Sequence, residues 1–290
     1  MWSNPVNAQI NPKGIWHRFA LTLFYCYAIF LTGCASLPNK TVTQLDQRQV
    51  EYVATHHGQP VIVFESGIAG TIDEWSDVFP TISKEYSALT YNRPGHGKSV
   101  TTQSPRDGDH IIDELRLLLL QQGYTPPYIL VGHSMGGFYM QYFARRYPEE
   151  VQALVLVDSA HPKQVEGNGS IEHYPLVFRL MFDWLASPTT KEEYLGMFST
   201  GRKMLALPTV TGKPVIILNA AKALKDHSAL ANDWNAMRWD LPKLYPGSQQ
   251  IWVDSNHDIP HEQPQAVIDA IHTAVATSTP PTAIESSSNK

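Results

Sequence analysis

A serine sits at Gly132-His133-Ser134-Met135-Gly136, with a glycine two residues to either side. Ahead of it runs Pro127-Tyr128-Ile129-Leu130-Val131, short, apolar and β-rich, and behind it Phe138 to Tyr147 has helical spacing. A strand that turns at once into a helix holds its corner residue in an uncommon backbone conformation. The hydroxyl there is pushed clear of the sheet, as in a nucleophile elbow. Glycine at 132 and 136 lets the helix lie close to the strand, where a side chain would keep it away. The chemistry of such a serine is nucleophilic attack on an acyl carbon, once a base takes its proton. A glycine-rich turn that merely contains a serine satisfies the same five positions. The buried strand and the helix around it favour the nucleophile.

Other segments supply the elements that must position it. Val61-Ile62-Val63-Phe64-Glu65 and Ala153-Leu154-Val155-Leu156-Val157 are continuous apolar runs, the mark of strands buried on both faces of a parallel sheet. Ser87 to Tyr91, Pro214 to Leu218 and Ile251 to Val253 read as further strands, and Gln49 to Ala54 alternates like one. Helical patterns cover Asp73 to about Lys84, Asp109 to Gln122 with Gly123 as C-cap, and Gln265 to Ala276. Asp158 stands at the C-terminal end of its strand, where parallel sheets put their working residues. His161 to about Thr211 breaks the alternation of strand and helix.

From about Val50 to about Ala274 the chain resembles the α/β-hydrolase superfamily, in the form shared by its single-domain esterases, lipases and iminopeptidases. The resemblance implies a mostly parallel sheet flanked by helices, with residues 161–211 as a helical cap over the site. The cap's aromatic and methionine residues, Tyr174, Phe178, Met181, Phe182, Trp184, Tyr194, Met197 and Phe198, suggest an apolar acyl pocket, with at least half of them expected only to pack the cap's own core. Ser66-Gly67-Ile68-Ala69-Gly70 stands where the family reads His-Gly-x-x-Gly, with Ser66 in place of the histidine. By that likeness the oxyanion donors are the backbone N–H groups of Ile68 and Met135. Asn92-Arg93-Pro94-Gly95-His96-Gly97-Lys98-Ser99 resembles the family's Asp-Arg-x-Gly-x-Gly-x-Ser loop, which braces the elbow; Asn92 departs from the aspartate.

His257 aligns with the family's base, and His261 is a rival deeper in the same loop. The acid is harder to place. Its commonest position, just after the penultimate strand, reads Asn219-Ala220-Ala221-Lys222, with no carboxylate until Asp226. Members such as the haloalkane dehalogenases, which use a glutamate, put the acid at the end of the preceding strand. In this chain that position is Asp158, with Asp226 the alternative and Asp233 or Asp254 behind.

The N-terminus reads as an address. Lys13, His17 and Arg18 precede an apolar run from Phe19 to Leu31, of signal-peptide length. It ends in Leu31-Thr32-Gly33-Cys34, which resembles a bacterial lipobox with Cys34 as the lipidated residue; Ala35 after it suggests the outer membrane. An uncleaved anchor and an ordinary secretory signal are the competing readings. On the lipoprotein reading residues 1–33 are signal, 34–47 a tether, 48–276 the folded domain, and 277–290 a disordered tail.

A length of 290 residues with 43% hydrophobic content suits one large α/β domain with a sizeable core. The net charge of -5 and the lack of a basic block give no nucleic-acid signal, so no nucleic-acid partner is expected. The 2 cysteines, Cys26 and Cys34, both lie near the N-terminus, so no disulfide staples the body. No metal-spaced His/Cys cluster and no dinucleotide fingerprint occurs, so no metal and no organic cofactor is expected. The expected function is hydrolysis of a small-molecule carboxylic ester with an apolar acyl or alcohol part, through an acyl-enzyme. An iminopeptidase-like amidase is the alternative, with Glu192-Glu193 as the acidic pair that would hold a free amine. A ligand-binding lipoprotein that keeps only the fold is the non-enzymatic alternative.

Overall fold

The computed structural model describes residues 36–174, 176–225 and 229–278. Every element described here belongs to one compact unit, Leu37–Lys290, divided from Met1–Ser36. The stretch read as a signal, Cys34, Asp226 and the chain after Ser278 lie outside the described residues.

Eight strands form one sheet in the order β1-β2-β4-β3-β5-β6-β7-β8. These are β1 (Thr41–Leu45), β2 (Arg48–Thr55), β3 (Val61–Glu65), β4 (Ser87–Tyr91), β5 (Tyr128–His133), β6 (Val151–Val157), β7 (Val215–Ala220) and β8 (Gln249–Val253). The first two strands pair antiparallel, β2 meets β4 antiparallel, and all later neighbours are parallel. Every residue of β3, β4, β5 and β7 is buried, as continuous apolar runs require when helices cover both faces. This is the α/β-hydrolase arrangement that the sequence implied.

The longer helices are α1 (Gly108–Gln121), α2 (Met135–Arg146), α3 (Leu176–Leu185), α4 (Pro188–Ala206), α5 (Ala229–Asp240) and α6 (Pro264–Ser278). Side chains alternate along the strands and so build two cores. Val63, Leu130, Leu154 and Ile217 join the core under α1 and α2, while Ile62, Ile129, Val155 and Leu218 join the core under α6.

Two expectations need correction. The stretch read as a tether contains β1, and Leu37 is already packed in the core, its N–H bonded to Oδ1 of Asp73 at 2.8 Å. The turn into β2 has positive φ at both Asp46 (43°) and Gln47 (66°), the geometry of a two-residue hairpin. The second correction concerns the helix expected from Asp73 to Lys84. It is a 3-10 turn, Ile72–Trp75, followed by a separate helical turn, Phe79–Ile82. Pro80 has no N–H to donate back into a preceding turn and instead opens the new one.

The insertion between β6 and β7 folds as two 3-10 turns followed by α3 and α4. Ser187 caps α4, accepting the N–H of Thr190 at 3.1 Å, and Pro188 occupies the first turn. A buried ion cluster fastens α4 to the sheet. Arg93 grips Glu193 of α4 with two bonds (3.0 and 3.1 Å) and Glu65, at the end of β3, at 2.6 Å. The same guanidinium donates to the carbonyl oxygens of Ser66 and Gly67, each at 2.7 Å. Asn92 does its bracing without a charge. Its Oδ1 accepts the N–H of Ile72 at 2.8 Å, and its Nδ2 donates to Glu51 at 2.6 Å.

Candidate active site

Ser134 occupies the corner between β5 and α2 with φ 52° and ψ -120°, a region that side-chain-bearing residues rarely enter. The end of β6 and the loop after it hold it there. Its N–H donates to the carbonyl of Val157 (3.0 Å), and its own carbonyl accepts from Ala160 (2.9 Å). The glycines have steric reasons. A Cβ at Gly136 would lie 2.2 Å from the carbonyl oxygen of Glu65, and one at Gly132 would lie 2.6 Å from Cα of Gly137.

The loop after β8 brings His257 to the serine, with Nε2 2.9 Å from Oγ of Ser134. The other ring nitrogen, Nδ1, lies 2.6 Å from Oδ2 of Asp158. An ionised carboxylate only accepts, so Nδ1 carries the hydrogen and Nε2 is left to accept the serine O–H. Asp158, directly after β6, also has positive φ (36°) and a fully buried side chain. Its Oδ1 accepts the N–H of Ala220 at 3.1 Å. Burial alone would favour the neutral acid. Hydrogen bonds from Arg238 and His257, with their charges, outweigh it and hold the Asp158 carboxyl far below the ordinary range.

Arg238 is the residue that sequence reasoning missed. It comes from α5, between β7 and β8, and lays Nε and Nη2 on the two Asp158 oxygens, each at 2.8 Å. Nothing in the linear pattern marks it, because the pairing spans two elements far apart in the chain. His133, inside the elbow motif itself, also went unread. Its Nδ1 meets Oε1 of Glu74 at 2.7 Å, and its Nε2 meets the carbonyl oxygen of His257 at 2.9 Å. Both Glu74 oxygens lie 3.0 Å from the N–H of Gly67.

The structure thus brings Ser134, His257 and Asp158 together. Ile68 and Met135 line the same cavity. Met135 is the first residue of α2, where a backbone N–H has no partner within the helix. His261 is elsewhere, facing Asp77 at 2.8 Å, and Asp254 is exposed. Glu192 is exposed, while Glu193 is buried in the ion cluster, so neither carboxylate faces the cavity.

That cavity measures about 480 Å³ and opens over Ser134. Its walls are mainly apolar and include Val165, Tyr174, Phe182, Tyr194, Met197 and Trp234. Four of these come from the cap residues expected to form an apolar pocket, whereas Met181, Trp184 and Phe198 point to solvent. Among the described residues no group of three or more His, Cys, Asp or Glu is placed to hold a metal. Among them, too, no helix is long and apolar enough to cross a membrane.

The sequence model of the alpha/beta hydrolase fold matches residues 60–186. The chain is 27% identical to the uncharacterized protein YbdG of Bacillus subtilis (strain 168) over 232 residues, 66% of this chain and 71% of that protein. It is 30% identical to the bifunctional esterase/perhydrolase DCH of Acinetobacter calcoaceticus over 118 residues, 40% of this chain and 42% of that one. The solved structure of lip1 from Acinetobacter baumannii AYE superposes with a TM-score of 0.64 at 18% identity, covering 95% of this chain and 99% of that one.

Proposed function

We propose that this chain, an α/β hydrolase, is a serine esterase acting on carboxylic esters with an apolar acyl or alcohol part. One arrangement carries the reading: Ser134 Oγ, His257 and Asp158 linked at 2.9 and 2.6 Å beneath an apolar cavity. His257 takes the serine proton on Nε2 as Oγ bonds to the ester carbon, and the carbonyl π pair moves onto oxygen. The N–H groups of Ile68 and Met135 receive that oxyanion, fixed before the charge develops. Collapse breaks the C–O bond to the alcohol, which leaves with the proton from His257. Water repeats the sequence on the acyl-serine and releases a carboxylic acid. Asp158 keeps the hydrogen on Nδ1 and stabilises the imidazolium.

The apolar walls support an ester with a hydrocarbon part, and the relatedness to an esterase/perhydrolase agrees. The amidase alternative loses its main support. Glu193, which it needed for a free amine, is bound by Arg93 and His96.

The enzyme is further read as a lipoprotein, acylated on Cys34 and held at the outer membrane facing the periplasm. Support for this is the apolar run ending at Leu31-Thr32-Gly33-Cys34. Labelling of cells with radioactive palmitate tests it: wild type takes up label and Cys34→Ser does not. Label in both sinks the reading.

Hydrolysis of p-nitrophenyl esters of graded chain length tests the activity, with Ser134→Ala, Asp158→Asn and Asp226→Asn alongside wild type. Turnover lost in Ser134→Ala and Asp158→Asn but kept in Asp226→Asn is expected. A folded wild type that is inert on every ester, and unlabelled by a fluorophosphonate, would leave a ligand-binding protein of the same fold.

A further inference from the structure

Both ring nitrogens of His133 face acceptors. The carbonyl oxygen of His257 lies 2.9 Å from Nε2, and Oε1 of Glu74 lies 2.7 Å from Nδ1. A carbonyl only accepts, so Nε2 carries a hydrogen. A neutral His133 would then aim a bare lone pair from Nδ1 at a carboxylate. The Glu74 oxygens are themselves already accepting the N–H of Gly67, each at 3.0 Å. The consistent state has a second hydrogen on Nδ1, which makes His133 an imidazolium buried directly before Ser134.

We propose that this proton is a clamp that positions the two halves of the reaction centre. Gly67 directly precedes Ile68 in the oxyanion loop, and His257 is the base. Glu74 and His133 tie one to the other beneath the nucleophile. The charged and titratable groups around His133 come from four elements. Glu74 lies on the Ile72–Trp75 turn; His257 follows β8, its ring 4.7 Å away; Asp158 ends β6. Arg93 follows β4 and grips the Gly67 carbonyl from its other side, at 2.7 Å. Burial disfavours the charged ring most strongly. The Glu74 charge and hydrogen bond, the His257 carbonyl and Asp158 oppose burial, and the net displacement is upward. When the proton leaves to solvent at alkaline pH, Nδ1 and Oε1 become two facing acceptors, and the clamp opens. Glu74 and His133 are therefore positioning residues, and the clamp opens as His133 loses its proton.

The kinetic side of this inference rests on the serine-esterase reading; its structural side does not. In Glu74→Gln the amide can donate to Nδ1 of a neutral His133 while its oxygen keeps the Gly67 N–H, so the clamp closes without a titrating proton. Wild-type kcat should fall on the alkaline side, and Glu74→Gln should stay level there. Glu74→Ala should lose at least about tenfold in kcat at every pH with KM little changed, as a misplaced loop does. A Glu74→Gln enzyme with the wild-type alkaline fall, or a fully active Glu74→Ala, overturns the clamp. Nitrogen NMR of histidine-labelled full-length protein reads the proton directly. His133 should be doubly protonated in wild type and bare at Nδ1 in Glu74→Gln. A bare Nδ1 in wild type at neutral pH overturns the proposal whatever the activity. A doubly protonated His133 in a chain inert on all esters keeps the clamp and removes the esterase reading.

Discussion

Arg238 spans both carboxylate oxygens of Asp158, with Nε and Nη2 each 2.8 Å away. The oxygen that receives the His257 N–H is therefore shared with a guanidinium. The fork fixes the plane of the carboxylate, and with it the direction from which His257 is held.

Removing Arg238 tests this. The rate should fall by about tenfold to a hundredfold in Arg238→Met as Asp158 loses its fixed orientation. Arg238→Lys keeps the charge without the fork, so it should recover only part of that rate. The kcat values of the three proteins decide it. An Arg238→Met enzyme as fast as wild type would rule out the orienting role.

The elbow tolerates no methyl group at Gly136. A Cβ there would sit 2.2 Å from the Glu65 carbonyl oxygen, and neither backbone can yield without moving β3 or α2. Gly136→Ala should cost about 1–3 kcal/mol in denaturant titration and abolish ester turnover. Gly212→Ala serves as a contrast. Its Cβ meets nothing within 4 Å, although its φ is 70°, so any penalty there comes from backbone strain alone.

Acid should weaken the cap's fastening. Burial works against the Glu193 charge, but Arg93 and His96 overcome it and hold the pKa down at about 2, from an ordinary 4.5. A depressed carboxylate adds stability that is complete above the unfolded value and is lost as pH falls through the folded one. The window is pH 4.5 down to 2, and the amount is on the order of 3 kcal/mol. Melting temperatures of wild type and Glu193→Gln should converge across that window. Parallel curves would show that Glu193 carries no such linkage.

Cavity size should set chain-length preference. Trp234→Ala enlarges the apolar chamber and should raise the long-ester to short-ester ratio of kcat/KM, while Val165→Phe should lower it. One methylene more or less in an apolar pocket changes discrimination by roughly 10-fold or more. Equal ratios in all three proteins would put the acyl chain elsewhere.

Legibility followed the type of signal. Residues 61–65 and 153–157 carry uninterrupted apolar runs, and the glycines around Ser134 record backbone contacts that exclude a Cβ, so sheet and elbow were readable. Strand β1 was not. Most of its residues face solvent, and its turn is Asp46-Gln47 instead of an Asn-Gly pair that announces a hairpin. Asp158 could be ranked above its rivals, but its environment could not be read. Arg238, Ala220 and His257 reach it from three other segments. Glu193 was misread because its partners, Arg93 and His96, lie 100 and 97 positions earlier in the chain.

The Arg93 cluster has a mechanical meaning. One guanidinium holds the cap through Glu193 and the oxyanion loop through the Ser66 and Gly67 carbonyls. Swinging α4 outward would tear Glu193 from Arg93 and His96 and break buried charged contacts that nothing else there replaces. The α4 part of the cap is thus a fixture, a fixed wall of the chamber instead of a door. Motion of α4 then adds no dependence of turnover on solvent viscosity.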